Sequence, residues 1–169
     1  MIENLNFKSF VDEKKLLFYF KQLFPICRSI TGKGFTDSLN ILSKIEKLNI
    51  KKVKSGTKVL DWTVPDVWNI EDAYLLKGKK KIIDFKKHNL HVLNYSTPIN
   101  KTLSFNELKK HLYTIPKIPN AIPYVHSYYK RNWGFALKHK QFLRMNKKAK
   151  YKAVIKSNIK PGYLHYSDN

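Results

Sequence analysis

Apolar residues near the start of the chain recur at helical spacing. Leu16, Leu17, Phe20, Leu23 and Phe24 form one stripe, and Asp12 stands where an N-cap belongs. Pro25 and the Gly32-Lys-Gly34 pair break that helix. A second stripe of Leu39, Leu42, Ile45 and Leu48 follows Thr36, which the pattern predicts as N-cap. From Lys51 the period changes. Short β-prone runs at Val53, Val59, Trp62, Val64, Ala73–Leu76, Ile82–Phe85 and Val92–Tyr95 alternate with turn residues, and Lys77-Gly78-Lys79 predicts a hairpin tip.

Ser104 and Glu107 form a capping box, with Leu103 and Leu108 as its hydrophobic staple, so a helix is expected to about Leu112. Pro116, Pro119 and Pro123 make Thr114–Pro123 an extended loop. Beyond it the pattern predicts a strand at Tyr124–Tyr129, a short helix in Leu137–Met145, and strands at Tyr151–Ile155 and Tyr163–Tyr166 around Lys160-Pro-Gly162. The expected class is α+β: a helical pair over 1–49, a mainly β, jelly-roll-like domain over 50–166, and a short tail at 167–169.

Composition narrows the functional classes. With 43% hydrophobic and 14% aromatic residues, 169 residues can bury a core of one ordinary domain. Cys27 is the single cysteine, so no intramolecular disulfide forms, which fits a reducing cytoplasm. The start of the chain lacks a basic n-region, and the run Leu16–Phe20 is far too short to span a bilayer, so neither a signal peptide nor a membrane partner is expected. The net charge of +21 suggests a polyanion partner. Only Arg28, Arg131 and Arg144 among the 33 basic residues are Arg, however, and base and phosphate recognition favours bidentate guanidinium. Solvated surface Lys is the favoured reading, and nucleic acid is not the expected partner.

Four strings stand out as too specific for filler. They are Phe24-Pro-Ile-Cys-Arg-Ser-Ile-Thr-Gly-Lys-Gly34, Lys58-Val-Leu-Asp-Trp-Thr-Val-Pro-Asp-Val-Trp-Asn-Ile70, Leu93-Asn-Tyr-Ser-Thr-Pro98 and Ile122-Pro-Tyr-Val-His-Ser-Tyr-Tyr-Lys-Arg-Asn-Trp-Gly-Phe135. In this order, over about Leu17 to Tyr166, the chain resembles a bacterial family of aminopeptidase-like proteins. That family has a zinc-exopeptidase fold with an inserted jelly-roll-like domain of unknown function. The resemblance implies metal-assisted hydrolysis of an N-terminal peptide bond or related amide. It also implies a zinc-ligand segment, of His-x-Cys-His-Pro type followed by Asn-Asp-Asn type, that this sequence does not match. The expectation is therefore an N-terminal fragment that is inactive alone and holds no cofactor, zinc belonging to the complete family protein. Its expected partners are the missing half or a second copy. From the family string, Arg28 and Thr31 carry over as substrate-cleft candidates, with a rigid docking turn as the structural alternative.

Other chemistry is sparse. His88 and His91 are the nearest His pair, but as i and i+3 at the edge of a strand they are expected on opposite faces. Asp61, Asp66, Glu71 and Asp72 cluster in sequence, and Cys27 precedes a cation that would lower a thiol. No catalytic residue and no metal ligand is assigned. Among the aromatics, Trp62, Tyr128 and Trp133, with Arg131, are further cleft candidates, their alternative being core. Two other functional readings stay open: a non-catalytic glycan- or peptide-binding β-module, and a basic nucleic-acid-binding protein.

Overall fold

In the computed structural model, which describes residues 12–168, the helical pair is α1 (Glu13–Leu23) and α2 (Lys33–Leu42). There follow β1 (Asn49–Lys54), β2 (Lys58–Val59), β3 (Trp62–Thr63), β4 (Val67–Lys77), β5 (Lys80–Asp84), β6 (Ile99–Ser104) and α3 (Phe105–Lys109). The chain continues through β7 (Leu112–Tyr113), β8 (Phe135–Ala136), α4 (His139–Leu143), β9 (Lys150–Lys160) and β10 (Tyr163–Asp168). The class is α+β, N-terminal helices followed by a mainly strand region. Residues 1–11 of the expected helical segment and Asn169 of the expected tail lie outside the described residues, while Ser167 and Asp168 extend β10.

Local signals account for most boundaries. The Asp12 carboxylate accepts from the amides of Lys14 and Lys15, 3.1 Å each, and so caps α1. α1 nevertheless buries nothing: Leu16, Leu17, Phe18, Phe20 and Phe24 are each more than half exposed. α2 begins three residues before Thr36. Its N-cap is Gly32, at φ 92°, where a Cβ would fall 2.1 Å from the Trp68 carbonyl oxygen. The cap bond comes from outside the helix, the Lys33 amide donating to Asn69 Oδ1 over 2.9 Å. Thr36 instead turns its hydroxyl back to the Gly32 carbonyl, and Leu39 is buried while Leu42 and Ile45 stay exposed.

The four-stranded antiparallel sheet has the order β5-β4-β9-β6. β4 solves a phase problem. Trp68 lies five residues before Ala73, which in a regular strand would put the two on opposite faces. A bulge at Glu71 supplies the extra residue: Ile70 pairs with Ser157 and Asp72 with Lys156, leaving Glu71 unpaired and exposed. Trp68, Ala73 and Leu75 therefore share one face with Tyr151, Ala153 and Ile155 of β9, Ile83 of β5 and Leu103 of β6. Gly78, at φ 57°, turns the β4–β5 hairpin as expected.

The layer over this face is built from α3, α4 and loops in place of a second four-stranded sheet. The capping box forms: Glu107 Oε2 accepts from the Ser104 amide at 2.8 Å, and the staple residues Leu103 and Leu108 are buried. α3 stops at Lys109 because Leu112–Tyr113 is drawn into a parallel ribbon with Phe135–Ala136. Val92–Tyr95 and Tyr124–Tyr129, expected as strands, meet only through isolated bridges, Val92 with Phe135 and Asn94 with His126. β1 pairs with β10, against which α2 packs, so the helical segment is joined to the strand region. Among the described residues no helix is long and apolar enough to cross a membrane.

The bulge generates a specific expectation. Deleting Glu71 forces regular alternation and turns Trp68 out of the core, with a loss of about 3–5 kcal/mol, the usual cost of losing a large buried aromatic. Urea unfolding checks it, and a deletion variant as stable as the parent would refute this account of β4.

Candidate functional site

Three of the four distinctive strings converge on one cleft, although they lie up to about a hundred residues apart. The cleft has a volume of about 450 Å³. Phe24, Ile26, Leu90 and Val92 give it apolar walls, and Arg28, Ser29, Asn94, Tyr124 and Tyr128 bring polar groups to it. Among the described residues no carboxylate lines it.

Asn94 holds the cleft together. Its Nδ2 donates to the Arg28 carbonyl (3.1 Å) and to the Tyr124 hydroxyl (2.9 Å), while its Oδ1 faces the Cys27 thiol at 3.9 Å. Its backbone donates to Val125 and accepts from Ser127, so one residue ties the helix-exit loop to the Tyr124–Tyr128 segment. The next residue, Tyr95, sits at φ 64°, a left-handed conformation that costs a non-glycine residue of order 1 kcal/mol. A chain of directional hydrogen bonds fixes it. The Trp68 amide donates to Thr31 Oγ1 (3.2 Å), Thr31 donates to the Tyr95 hydroxyl (2.6 Å), and Tyr95 donates to the Asp66 carbonyl (3.0 Å).

Two hydroxyls face the cleft in unusual states. The Tyr124 and Tyr128 oxygens are 2.6 Å apart, and burial first, then the Tyr124 hydroxyl, pushes the Tyr128 phenol well above its ordinary value. Tyr128 is a neutral hydrogen-bonding group at any physiological pH. Ser29 is only 7% exposed, and its Oγ, although near the Tyr128 phenol, lacks a partner of hydrogen-bonding geometry. A buried hydroxyl without a partner costs on the order of 1–3 kcal/mol, and this Oγ, shut off from solvent, would reach a ligand only if its side chain turned toward the cleft.

Of the six candidates from the sequence, Arg28 and Tyr128 meet in this cleft. Arg28 is exposed there and spends one guanidinium nitrogen on the Leu23 carbonyl at the end of α1 (2.6 Å). Arg131 lines a smaller neighbouring cleft of about 220 Å³ with Asp66, Tyr128 and Tyr129. Thr31 is buried in the hydrogen-bond chain just described and acts as a docking residue. Trp62, half-buried on the β2–β3 ribbon, and Trp133, stacked on His111 at 3.8 Å, line neither cleft. Asn94 and Ser29 were missed as site residues. The available signal was a polar Asn between Leu93 and Tyr95 in an otherwise β-prone run.

The alternative chemistries resolve as follows. Cys27 is pushed from 9.0 up to about 11 by burial, an effect that outweighs the lowering by Arg28, so it is a protonated thiol and not a nucleophile. His88 and His91 correct an expectation: His88 caps and His91 ends a 3-10 turn at Asn89–His91, and their rings are neighbours at 5.7 Å. Each already uses Nδ1, His91 with the Ala136 carbonyl (2.8 Å) and His88 as acceptor for the Leu90 amide (3.2 Å). Burial lowers the pKa of His91. Among the described residues no three His, Cys, Asp or Glu side chains are placed to hold a metal ion, so this donor set does not fit zinc. The sequence cluster of carboxylates disperses: Asp66 borders the smaller cleft, Glu71 is the exposed bulge, and Asp72 lies 3.8 Å from Lys86.

Comparison with known proteins is consistent with this geometry. Residues 67–158 match the family model described as a domain of unknown function (DUF2172). A Clostridium acetobutylicum protein, provisionally named for polysaccharide biosynthesis with an aminopeptidase-like domain, is 50% identical over 88% of this chain. A crystal structure of a protein from the same organism, provisionally named a peptidase, superimposes with a TM-score of 0.86 at 48% identity over 91% of this chain. The chain spans about a third of the length of these relatives, 34% and 36% respectively.

Thr31 and Ser29 are expected to separate. Thr31→Val strands the buried Trp68 amide and should cost about 1–3 kcal/mol in urea unfolding, whereas Ser29→Ala removes an unpartnered hydroxyl and should leave stability unchanged or slightly raised. The reverse order would refute the assignment of Thr31 as lock and Ser29 as ligand-facing group. For Cys27, iodoacetamide alkylation of the native protein should rise through an apparent midpoint near pH 11. At pH 8 only on the order of 0.1% is thiolate. A midpoint at or below the free-thiol value would identify an activated nucleophile instead.

Proposed function

The chain belongs to the family of the domain of unknown function (DUF2172), and from the names of its relatives we propose that it is the N-terminal, substrate-holding part of an aminopeptidase-like hydrolase. The bond cleaved is a peptide bond or a related amide. One observation carries this reading: the cleft where the helix-exit loop, Asn94 and Tyr124–Tyr128 meet has apolar walls, amide and hydroxyl groups for hydrogen bonding, and the exposed Arg28 as its one cation among the described residues. Apolar walls with amide and hydroxyl groups suit an amide or a sugar ring, and Arg28 adds a place for a carboxylate or other anionic group on the same ligand. The name of the Clostridium relative joins an aminopeptidase-like domain to polysaccharide biosynthesis, so an amide-bearing glycan intermediate stands beside a peptide as substrate class.

In this proposal the chain contributes binding and orientation. Asn94 sets the spacing between the loop and the tyrosine pair, Tyr128 and Ser29 offer hydroxyls to the ligand, and the apolar wall excludes water around it. A metal ion, if the hydrolase uses one, would supply activated water. Its ligands are not among the residues described here. Hydrolysis therefore calls on residues outside this chain, and the exposed stripe of Leu16, Leu17, Phe20 and Phe24 on α1 is the face we assign to contact with them. The lone, reduced Cys27 fits a cytoplasmic setting.

The test combines binding with turnover. N-acetylglucosamine or a dipeptide amide titrated into the labelled chain should move the amide resonances of Cys27–Ile30, Asn94 and Tyr124–Tyr128. Affinity in the millimolar range, about −4 kcal/mol, is expected for half a site. Aminoacyl anilides with added zinc should give no saturable turnover. Saturable hydrolysis by the chain alone, or resonance changes confined to other regions, would overturn the proposal.

A further inference from the structure

Two basic runs far apart in sequence come together in the fold. The register of the sheet sets Leu76 opposite Lys152, Lys77 opposite Lys80, and Ser104 opposite Lys150. The hairpin Lys77–Lys81 and the segment Arg144–Lys150 therefore share one end of the four-stranded sheet. Between them lies a concavity of about 390 Å³, rimmed by Lys77, Lys80, Lys81 and Arg144 over a floor that includes Ile82 and Met145.

The charge here is largely uncompensated. Among the described residues no carboxylate lines the concavity. The acids at this end are Asp84, 3.4 Å from Lys81, and Glu107, whose carboxylate is held in the capping box with Ser104. Among the described residues Lys77, Lys80 and Arg144 form no ion pair. Cations around one hollow repel one another and draw anions into it, more strongly than the same charges spread over a flat surface. Arg144, one of three Arg in the chain, adds a planar fork that matches phosphate geometry, while the lysines act as point charges. The lining also includes Gln141, Asn146 and Tyr151, and Ile82 and Met145 give it an apolar patch on which a ring attached to the phosphate has somewhere to lie.

We propose that this concavity binds a phosphate-bearing small molecule, a sugar phosphate or a nucleoside diphosphate, with its phosphate on Lys77, Lys80 and Arg144 and its ring on Ile82 and Met145. The site is distinct from the cleft at Cys27–Tyr128 and stands whether or not that cleft serves a hydrolase. Point charges and an apolar floor reward a compact multivalent anion carrying an uncharged ring, and they offer nothing to a neutral sugar.

Isothermal titration at physiological salt tests this with uridine diphosphate, a hexose 1-phosphate, inorganic pyrophosphate and uridine. One or both organic phosphates should bind, which of them identifying the source, and uridine should not. The double variant Lys77→Gln/Arg144→Gln should weaken binding about tenfold or more, the loss expected for two charge-assisted contacts. Both residues are exposed, so the fold should persist. The control pair Lys54→Gln/Lys58→Gln, exposed on β1 and β2, removes the same charge elsewhere and should have little effect. Three results would each overturn the proposal: no organic phosphate bound, equal weakening by both pairs, or pyrophosphate bound as tightly as the organic ligands. Duplex DNA bound more tightly than any of them, and released equally by both pairs, would likewise overturn it in favour of a diffuse polycation.

Discussion

The hydrogen-bond chain from the Trp68 amide through Thr31 and Tyr95 to the Asp66 carbonyl is the constraint on which the site depends. It joins three segments far apart in sequence: the exit from α1, the start of β4 and the turn after Val92. The Trp68 ring stacks on Tyr95 at 5.9 Å, and its Nε1 donates to the Ser96 carbonyl over 3.0 Å. Every donor in this chain is used once, and each bond lies where water competes poorly, so removing one link exposes an unpaired group to a low dielectric. That closure holds Tyr95 in a left-handed conformation it would otherwise leave, and with it the direction of Asn94 into the cleft.

The same element that anchors the lock also organises the core. β4 contributes Trp68 before the Glu71 bulge and Ala73 and Leu75 after it, all to one face. Without the bulge either the lock or the core would face solvent. The bulge therefore couples the position of the candidate site to sheet packing, and the strain at Tyr95 is supported by a rigid neighbour.

Charge and cleft are segregated. The candidate cleft has Arg28 and, among the described residues, no carboxylate, and burial keeps the Tyr128 hydroxyl and the Cys27 thiol protonated by pushing both upward. Basic side chains concentrate at the far end of β4 and β9, where the hairpin tip and the start of β9 adjoin. A mainly uncharged recognition surface with one cation and a strongly cationic one can thus act on different parts of a ligand, or on different ligands.

Local chemistry was legible in the sequence wherever a signal completes itself within a few residues. The Asp12 cap, the Ser104–Glu107 box, the Gly78 hairpin and the α+β class all follow from contacts within one turn or one strand pair. Tertiary structure decided what depends on distant partners. α2 starts at Lys33 because Gly32 passes under the Trp68 carbonyl and Asn69 supplies the cap, neither visible from Thr36. Val92–Tyr95 and Tyr124–Tyr129 have strand composition, yet their backbones spend their bonds on each other and on Asn132 and Gly134 instead of on a sheet. The site divides in the same way. Sequence selected the strings that build it and named Arg28 and Tyr128, but Ser29 became a site residue only when burial left its hydroxyl unpartnered, and Thr31 became a lock only when Trp68 and Tyr95 closed on it. Pairing across 30 to 60 residues is set by which surfaces can be buried together, a property of the folded whole.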